Sequence, residues 1–521
     1  MIKIKNIFRT AVMVTAFSVV ERFLGFIYRI YLSRTLGAEG LGLYQIALSV
    51  LGLFMTITSS GIPITISRIM TKNKNQNAAY KNASTVTAGI LLTLAASIPI
   101  TLIVLFKSNY LSFLFSDERC MTILMIMIPG LIFTSVYAVI RGTFWGNTNF
   151  LTYSIIECAE EAVMMLAGII LVNNATDMMS GVKRAGYAVL ISYLFSFTVA
   201  IIFYFAKGGK LGSPKSMLKP LFVSSAPITA MRTATSLVNT LVSLLLPARL
   251  IYYGMSSSLA VSEFGKVFGM AMPLIFMPST LIGSLALVLV PELSDNFYSG
   301  KTATLKNNIE KAIKFSCFIA CMIMPIFLSV GTEIGEFLYS DSQAGVFITK
   351  SAVVMLPLSI SIITTSMLNS LNKEKQTLLS FLTGAIALIA SIYFFPSIIG
   401  VNALIVGMIL NYGITAIINL FLLGKFFKEK PEYLFYILKS CIFVLPSAVF
   451  GLMLNNILST RVSLTVLLII VVIAVMAFDS GLFYVFGMID FKNKDKPARH
   501  KKKRFNGFTF DRIGKKTNNK A

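Results

Sequence analysis

Long apolar runs fill most of this chain, and short segments rich in charge, glycine and proline separate them. A helix needs about 20 apolar residues to cross the hydrocarbon core of a bilayer, and the runs reach that length. They predict an all-α polytopic membrane protein with about fourteen transmembrane helices. We expect these helices near residues 7–33, 41–70, 83–106, 121–145, 150–172, 185–206, 219–248, 262–290, 311–331, 346–370, 376–396, 400–424, 433–455 and 463–488.

The composition agrees with the hydrophobic pattern. The 521 residues are 56% hydrophobic and 13% charged, whereas a soluble protein carries about 25% charged residues. This charge content leaves too little polar surface to cover a water-soluble body, and a soluble fold is therefore excluded.

Lysine and arginine give the chain a formal net charge of +24. They concentrate in every second connection between predicted helices and in the tail at residues 491–521. Because cytoplasmic loops carry an excess of these residues, we predict a bacterial cytoplasmic membrane protein with both termini in the cytoplasm. The tail is typical of a segment that binds anionic lipid, which we favour over nucleic acid as its partner.

The chain shows a weak internal repeat of about 220 residues. The sequence LSR at 32–34 ends the first predicted helix, and PARL at 247–250 ends the seventh. We therefore expect two pseudo-symmetric six-helix lobes at residues 1–210 and 211–430, two C-terminal helices within 431–490 and the basic tail. The alternative is chance similarity between apolar stretches.

Charged residues inside the predicted helices are expensive in lipid and are therefore informative. Arg22 and Arg29 are seven residues apart, which places them on one helix face about 10 Å apart. Arg232 lies in the seventh predicted helix and Lys266 in the eighth. Either these residues line a wet cavity that binds an anionic head group, or they form interhelical ion pairs, for example Arg22 or Arg232 with Glu157. Arginine suits phosphate because its planar fork can donate two parallel hydrogen bonds.

The fifth predicted helix carries three carboxylates, of which Glu157 and Glu161 share one face at i,i+4. Like charges at this spacing repel each other, so they need cationic partners or partial protonation. In the eighth predicted helix, Pro273 and Pro278 each remove a backbone donor. We expect this pair to break the helix and to act as a hinge, although static kinks are the alternative.

Nothing in the sequence indicates an enzyme. His500 is the only histidine and lies in the tail, and the five cysteines lack metal-ligand spacing, so we expect them to be reduced packing residues. The glycines at 37–42 follow a membrane helix and not a strand, which excludes a dinucleotide-binding loop. We expect no resident cofactor, and either a coupling ion (H⁺ or Na⁺) or the membrane potential as the energy source.

Several segments together resemble the stage V sporulation protein B family. The resemblance covers essentially the whole chain in order. The segments are residues 21–29 (ERFLGFIYR), 36–45 (LGAEGLGLYQ), 60–68 (SGIPITISR), 141–146 (RGTFWG) leading to Ser154 and Glu157, 266–275 (KVFGMAMPLI) and 290–293 (VPEL).

This resemblance implies a flippase with alternating access. The family that the chain resembles belongs to the polysaccharide and lipid-linked oligosaccharide exporter group, alongside the lipid II flippases. It implies a substrate with a polyprenyl tail, a diphosphate and a sugar head, here lipid II for spore cortex peptidoglycan, and cell-wall synthesis enzymes as possible partners. On the matching segments it implies that Arg22, Arg29 and Lys266 bind the substrate, and we expect the nearby Arg232 to do so as well. We further expect Glu39, Glu157 and Glu161 to orient these residues or gate the cavity.

The chain departs from the family pattern at a few positions. It has Lys266 where arginine is usual, Trp145 and Cys158 where polar residues are usual, and Asn239 and Ser243 where an acidic residue is expected. A multidrug cation antiporter of the same superfold is the first alternative function, and it needs a buried acidic site as its main feature. The second is a membrane scaffold that recruits wall-synthesis enzymes through the basic tail.

Overall fold

The computed structural model describes residues 2–75, 81–426 and 433–486, and within these ranges the chain is helical with no strand. The fold class predicted from the sequence is confirmed. The basic tail at 491–521 lies outside the described residues, as do Lys428 and Lys430 of the predicted cytoplasmic loops.

The first helix group comprises seven helices. They are α1 (Ile2–Ser59), α2 (Ile62–Asn75), α3 (Lys81–Phe106), α4 (Arg119–Met127), α5 (Gly130–Gly146), α6 (Phe150–Asn173) and α7 (Met178–Ala206).

The second helix group comprises ten, and two C-terminal helices follow it. The ten are α8 (Leu218–Tyr252), α9 (Ser257–Phe264), α10 (Met272–Phe276), α11 (Ser279–Tyr298), α12 (Thr302–Tyr339), α13 (Ser342–Ser351), α14 (Met355–Ser370), α15 (Glu374–Phe394), α16 (Pro396–Ile399) and α17 (Ala403–Gly424). The last two are α18 (Tyr433–Leu458) and α19 (Leu464–Val485).

The first two predicted helices form one long element that bends at Gly37. This residue has φ 68° and ψ −178°, a backbone conformation that is essentially restricted to glycine. The chain breaks again at Ser60 and Gly61, so Pro63 occupies the first turn of α2 and does not kink a helix interior. Proline is well tolerated in a first turn because its missing N–H has no intrahelical partner there.

The eighth predicted helix is broken, as its prolines indicate. A π-helical turn at Gly265–Ala271 follows α9, Pro273 lies in the first turn of α10, and Pro278 directly precedes α11. The fourth predicted helix is also divided, because α4 and α5 meet at an angle of 44°. Whether these breaks act as hinges stays a prediction.

Eleven helices of the described residues are long and apolar enough to cross a membrane, or twelve if the bent α4–α5 pair is one span. Two segments are long enough for additional crossings. The 62 residues of Met13–Lys74 extend about 93 Å, three times the hydrocarbon core. Helix α6 has 24 residues, and it carries Glu157, Glu160 and Glu161. The predicted number of fourteen stays a prediction.

The helix surfaces are those of a membrane protein. Large aliphatic side chains stay exposed, among them Ile170, Ile386 and Leu445, each at least 64% exposed. Apolar surface of this extent requires lipid and not water around the bundle. All five cysteines are free, and three of them are buried, as predicted.

Contacts between the first and second helix groups are made mainly by α1, which packs against α8, α9 and the π-helical turn. The C-terminal helices α18 and α19 pack on α12. The long α1 therefore makes most of the contacts that fix the two helix groups relative to each other.

We predict that Gly37→Ala destabilises the protein by about 1–3 kcal/mol, because an L-residue is strained at this backbone conformation. A methyl group at Gly37 would meet no atom within 4 Å, so the loss would report backbone strain alone. The matched control is Gly52→Ala in the regular part of α1, where a methyl group also meets open space. Thermal unfolding in detergent should show a lower midpoint for Gly37→Ala only, and equal midpoints would contradict the strain.

Candidate functional site

Arg22 and Arg29 lie in the first half of α1 without a carboxylate partner. Arg22 is exposed and Arg29 is half-buried. Among the described residues, no carboxylate oxygen lies within 4 Å of either guanidinium group. Arg29 has Tyr44, Tyr339 and Glu161 as its electrostatic neighbours. Tyr339 ends α12, so this arginine faces both helix groups.

Arg232 lies in the interior of α8 and is exposed. Within the described ranges it has no carboxylate partner either. One turn away on each side, α8 contacts the end of α1 and the break that follows it. The Thr229 hydroxyl accepts from the Gly61 N–H at 3.2 Å, and the Thr56 hydroxyl donates to Ser236 at 3.4 Å. Arg232 therefore lies beside the contact between the two helix groups.

Glu157 pairs with Arg141 and not with Arg22 or Arg232, which corrects the ion pair considered from the sequence. Arg141 Nη1 donates to Glu157 Oε1 at 3.1 Å, and its guanidinium group lies 5.4 Å from the Trp145 ring centroid. The sequence contains a signal for this pair. Both residues are eight positions from Asn149, where the chain turns between α5 and α6, so antiparallel packing brings them together.

Glu161 lies against α1 because Gly25 has no side chain. A methyl group at Gly25 would lie 2.6 Å from Glu161 Oε1. The same carboxylate is an electrostatic neighbour of Glu21 and Arg29. The three helices α1, α5 and α6 thus bring together Glu21, Arg29, Glu161 and the Arg141–Glu157 pair. The predicted orienting role of Glu157 and Glu161 stays a prediction.

Lys266 lies in a different place from the three arginines. It is in the π-helical turn, and its Nζ donates to Glu263 Oε1 at 2.8 Å. Both side chains face a polar cavity of about 120 Å³, which Lys350 of α13 and Asn402 also line. Neither Arg22, Arg29 nor Arg232 lines this cavity. A shared set of four cations is therefore not present in this conformation.

Glu39 takes part in a polar cluster that joins the two helix groups, and we call this cluster the Glu39 tie. Arg119 Nη2 contacts Glu39 Oε1 and Asp117 Oδ2, each at 2.7 Å. The hydroxyl of Ser257, at the start of α9, donates to Asp117 Oδ2 at 2.8 Å. Ser257 belongs to the second group and the other three residues to the first, so the Asp117–Ser257 hydrogen bond crosses between the groups.

The tie also determines the charge state of Asp117. Burial raises the pKa of this carboxyl, but hydrogen bonds from Arg119 and Ser257 outweigh the burial and hold its pKa below the ordinary value of 3.8. The carboxylate is therefore ionised at neutral pH and is the common acceptor of the cluster.

Close backbone contacts accompany the Glu39 tie. Arg34 donates to the carbonyl oxygens of Phe337 and Leu338 at the end of α12. A methyl group added to Gly265 would overlap the carbonyl oxygen of Ala38, and one added to Gly42 would overlap that of Val261. At this end of the bundle the two helix groups are in direct contact.

Comparison with known proteins identifies relatives of this chain. Residues 7–297 match the family described as polysaccharide biosynthesis protein. Stage V sporulation protein B of Bacillus subtilis (strain 168) is 25% identical over 72% of this chain and 75% of its own length. Lipid II flippase MurJ of the same organism is 21% identical over 73% of this chain and 76% of its own length.

Two solved structures show the same fold. A lipid II flippase MurJ in an inward closed conformation has a TM-score of 0.73 and 14% identity, and covers 92% of this chain and 100% of its own. An inward-facing multidrug resistance MATE family transporter has a TM-score of 0.65 and 15% identity, over 78% and 94%. Together with the relatives named above, this fold supports a multi-pass bacterial membrane protein of the flippase or transporter class and not an enzyme.

We predict that Asp117→Asn lowers stability at pH 7 by about 1–3 kcal/mol, because it removes a charge-assisted hydrogen-bond acceptor. A carboxyl group that has a lower pKa in the folded protein than in the unfolded protein stabilises the fold at pH values above the unfolded-state pKa. This stabilisation is lost as the pH falls through the folded-state pKa. The difference in unfolding midpoint from the wild type should therefore shrink below about pH 4. The control is Asp177→Asn, an exposed carboxylate that contacts its neighbour Thr176. A difference in unfolding midpoint between Asp117→Asn and the wild type that stays constant with pH would contradict an ionised Asp117 in the Glu39 tie.

We predict that Arg141→Met destabilises the bundle by about 3–5 kcal/mol, because it leaves Glu157 charged and unpaired. The double variant Arg141→Met/Glu157→Leu should recover most of this loss, since it removes both charges. Thermal unfolding in detergent provides the measurement. A double variant as unstable as the single one would show that pairing is not what Arg141 contributes.

Proposed function

We propose that this chain, which belongs to the polysaccharide biosynthesis protein family, moves a lipid-linked cell-wall precursor across the cytoplasmic membrane by alternating access. Lipid II for spore cortex peptidoglycan is the favoured substrate. The observation that carries the proposal is that Arg22, Arg29 and Arg232 lie within membrane-spanning helices and have no carboxylate within 4 Å among the residues that the structure describes.

An unpaired guanidinium group at bilayer depth is costly unless it meets water or an anion. A diphosphate supplies that anion, and the arginine fork matches its oxygens with two parallel hydrogen bonds. Arg141 is the contrast within the same bundle, since Glu157 already neutralises it. The three unpaired arginines would therefore bind the diphosphate, and Arg141 would hold α5 and α6 together.

Alternating access requires the two helix groups to separate at one end and close at the other. The predicted lobes at residues 1–210 and 211–430 would be the moving units, with Pro273 and Pro278 at the breaks that absorb the motion. Glu39 would act as a gate through its tie, which must open for release at that end. Lys266 would reach the head group after leaving Glu263. Glu157 and Glu161 would orient the arginines of α1, through Arg141 and Arg29.

The charge distribution supports an orientation with the Glu39 tie outside the cell and both termini in the cytoplasm. Cytoplasmic anionic lipid would then bind the basic tail, and wall-synthesis enzymes would consume the delivered precursor. The coupling ion (H⁺ or Na⁺) or the membrane potential would supply the energy. Relatedness to stage V sporulation protein B and lipid II flippase MurJ supports this substrate class.

A multidrug cation antiporter is the second candidate. The carboxylates of α6 inside the bundle and the fold shared with a multidrug resistance transporter favour it. An antiporter needs an acidic site open to a cationic drug, whereas Glu157 is paired with Arg141. A drug-efflux assay separates the candidates, since efflux without lipid translocation would replace the first proposal by the second.

We predict that Arg22→Ala and Arg29→Ala each lower lipid II translocation about tenfold to a hundredfold, the loss expected for one charge-assisted hydrogen-bonding group of about 1.5–3 kcal/mol. The assay uses vesicles with the purified chain, labelled lipid II and other lipid-linked sugars as specificity controls. Arg461→Ala is the matched control, because Arg461 is exposed in the connection between α18 and α19. Wild-type rates for both correctly inserted alanine variants would remove the assignment.

A further inference from the structure

A groove of about 820 Å³ lies between the first and second helix groups. Thr58 of α1 and Ile62 of α2 line it on one side together with Ala95 of α3, and Ala226 and Ala230 of α8 line it on the other. Its lining is predominantly apolar. It lies where the groups meet, so transport would change its width.

The position of the groove along the helices places it at bilayer depth. Ala95 is 14 residues into α3 and Ala230 is 12 residues into α8, which corresponds to about 18–21 Å along each helix axis. The helix termini at Lys81 and Leu218 lie at the same end of the bundle, because the Gly212 N–H, shortly before α8, donates to the Thr87 hydroxyl in the first turns of α3 at 3.0 Å. The groove therefore extends from that end into the hydrocarbon region.

Cations occur along α8 at two levels of the groove. Lys219 is exposed, seven residues before Ala226, and so lies on the same helix face as the groove. Arg232 lies 13 residues further along, which is about 20 Å deeper, and its angular position is at the edge of that face. Lys72 and Lys74, in the last turn of α2, add positive charge at the Lys219 end.

We propose that this groove receives the polyprenyl chain of the lipid-linked substrate, with the diphosphate first at Lys219 and then at Arg232. The inference rests on the proposed function. An apolar trough with a cation at its mouth fits any anionic lipid, because the chain lies in the trough and the phosphate meets the cation. The second cation distinguishes the occupants: a resting phospholipid keeps its head group at the membrane surface, and only a head group in transit reaches the depth of Arg232.

Photo-crosslinking with labelled lipid II tests this assignment. The full chain, with p-benzoylphenylalanine in place of Ala230, is reconstituted in vesicles and illuminated. The matched control carries the same group in place of Leu194, which is 44% exposed in the middle of α7 and lines none of the cavities described above. We expect at least fivefold more lipid II adduct at position 230, with competition by polyprenyl phosphate and not by excess phosphatidylglycerol. Equal labelling at the two positions, or equal competition by phosphatidylglycerol, would overturn the proposal.

A second set of variants separates the two cations from the groove. Ala226→Trp/Ala230→Trp adds two indole rings, which narrows the groove and should lower lipid II adducts at position 95 at least fivefold, measured with the photoreactive group in place of Ala95. Arg232→Ala should keep adduct formation at position 230 while translocation falls about tenfold. Adducts at position 95 that are undiminished in the narrowed groove would place the polyprenyl chain elsewhere.

The outcome for the groove is separable from that for the proposed function. Translocation of lipid II by the wild type without preferential labelling at position 230 overturns the groove alone. Labelling by polyprenyl phosphate at position 230 in a protein that does not translocate lipid II overturns the proposed function alone. A protein that neither translocates nor labels overturns both.

Discussion

The constraint on which this structure depends is the free energy of placing charge in a bilayer. Every charged side chain within a membrane-spanning helix must be neutralised by a neighbour or must face water or an anion. Arg141 and Glu157 satisfy the constraint as a pair, and so do Lys266 and Glu263. Within the part of the chain that the structure describes, Arg22, Arg29 and Arg232 have no carboxylate within 4 Å. This difference separates the charges that hold the bundle together from those available to a substrate.

The sequence predicted the fold class because the signal is collective. Apolar runs of membrane length occur throughout the chain, and no single residue decides the conclusion. The break at Pro273 and Pro278 was predictable for a local reason, since proline removes a backbone donor. The bend at Gly37 was not, because a glycine between two apolar runs is compatible with a loop, a bend or a continuous helix.

The candidate site was predictable only in part, since pairing depends on geometry between helices. The sequence identifies Glu157 as needing a cation, but several cations are available, and only the packing of α5 against α6 selects Arg141. Asp117 and Ser257 are 140 residues apart, and no local pattern joins them. The placement of Lys266 beside Glu263 in a π-helical turn likewise depends on how the broken helix packs.

The glycine contacts beside the Glu39 tie have a kinetic consequence. Where Gly265 meets Ala38 and Gly42 meets Val261, backbone touches backbone. These two backbone contacts can separate without any change of side-chain rotamer, so they add little to the barrier for opening. The polar contacts between the halves, which are the Asp117–Ser257 hydrogen bond and those from Arg34 to α12, then contribute to the equilibrium preference for the closed form, whereas the glycine backbone contacts add little to the activation barrier. Affinity of the two halves for each other and speed of opening can thus be adjusted independently during evolution.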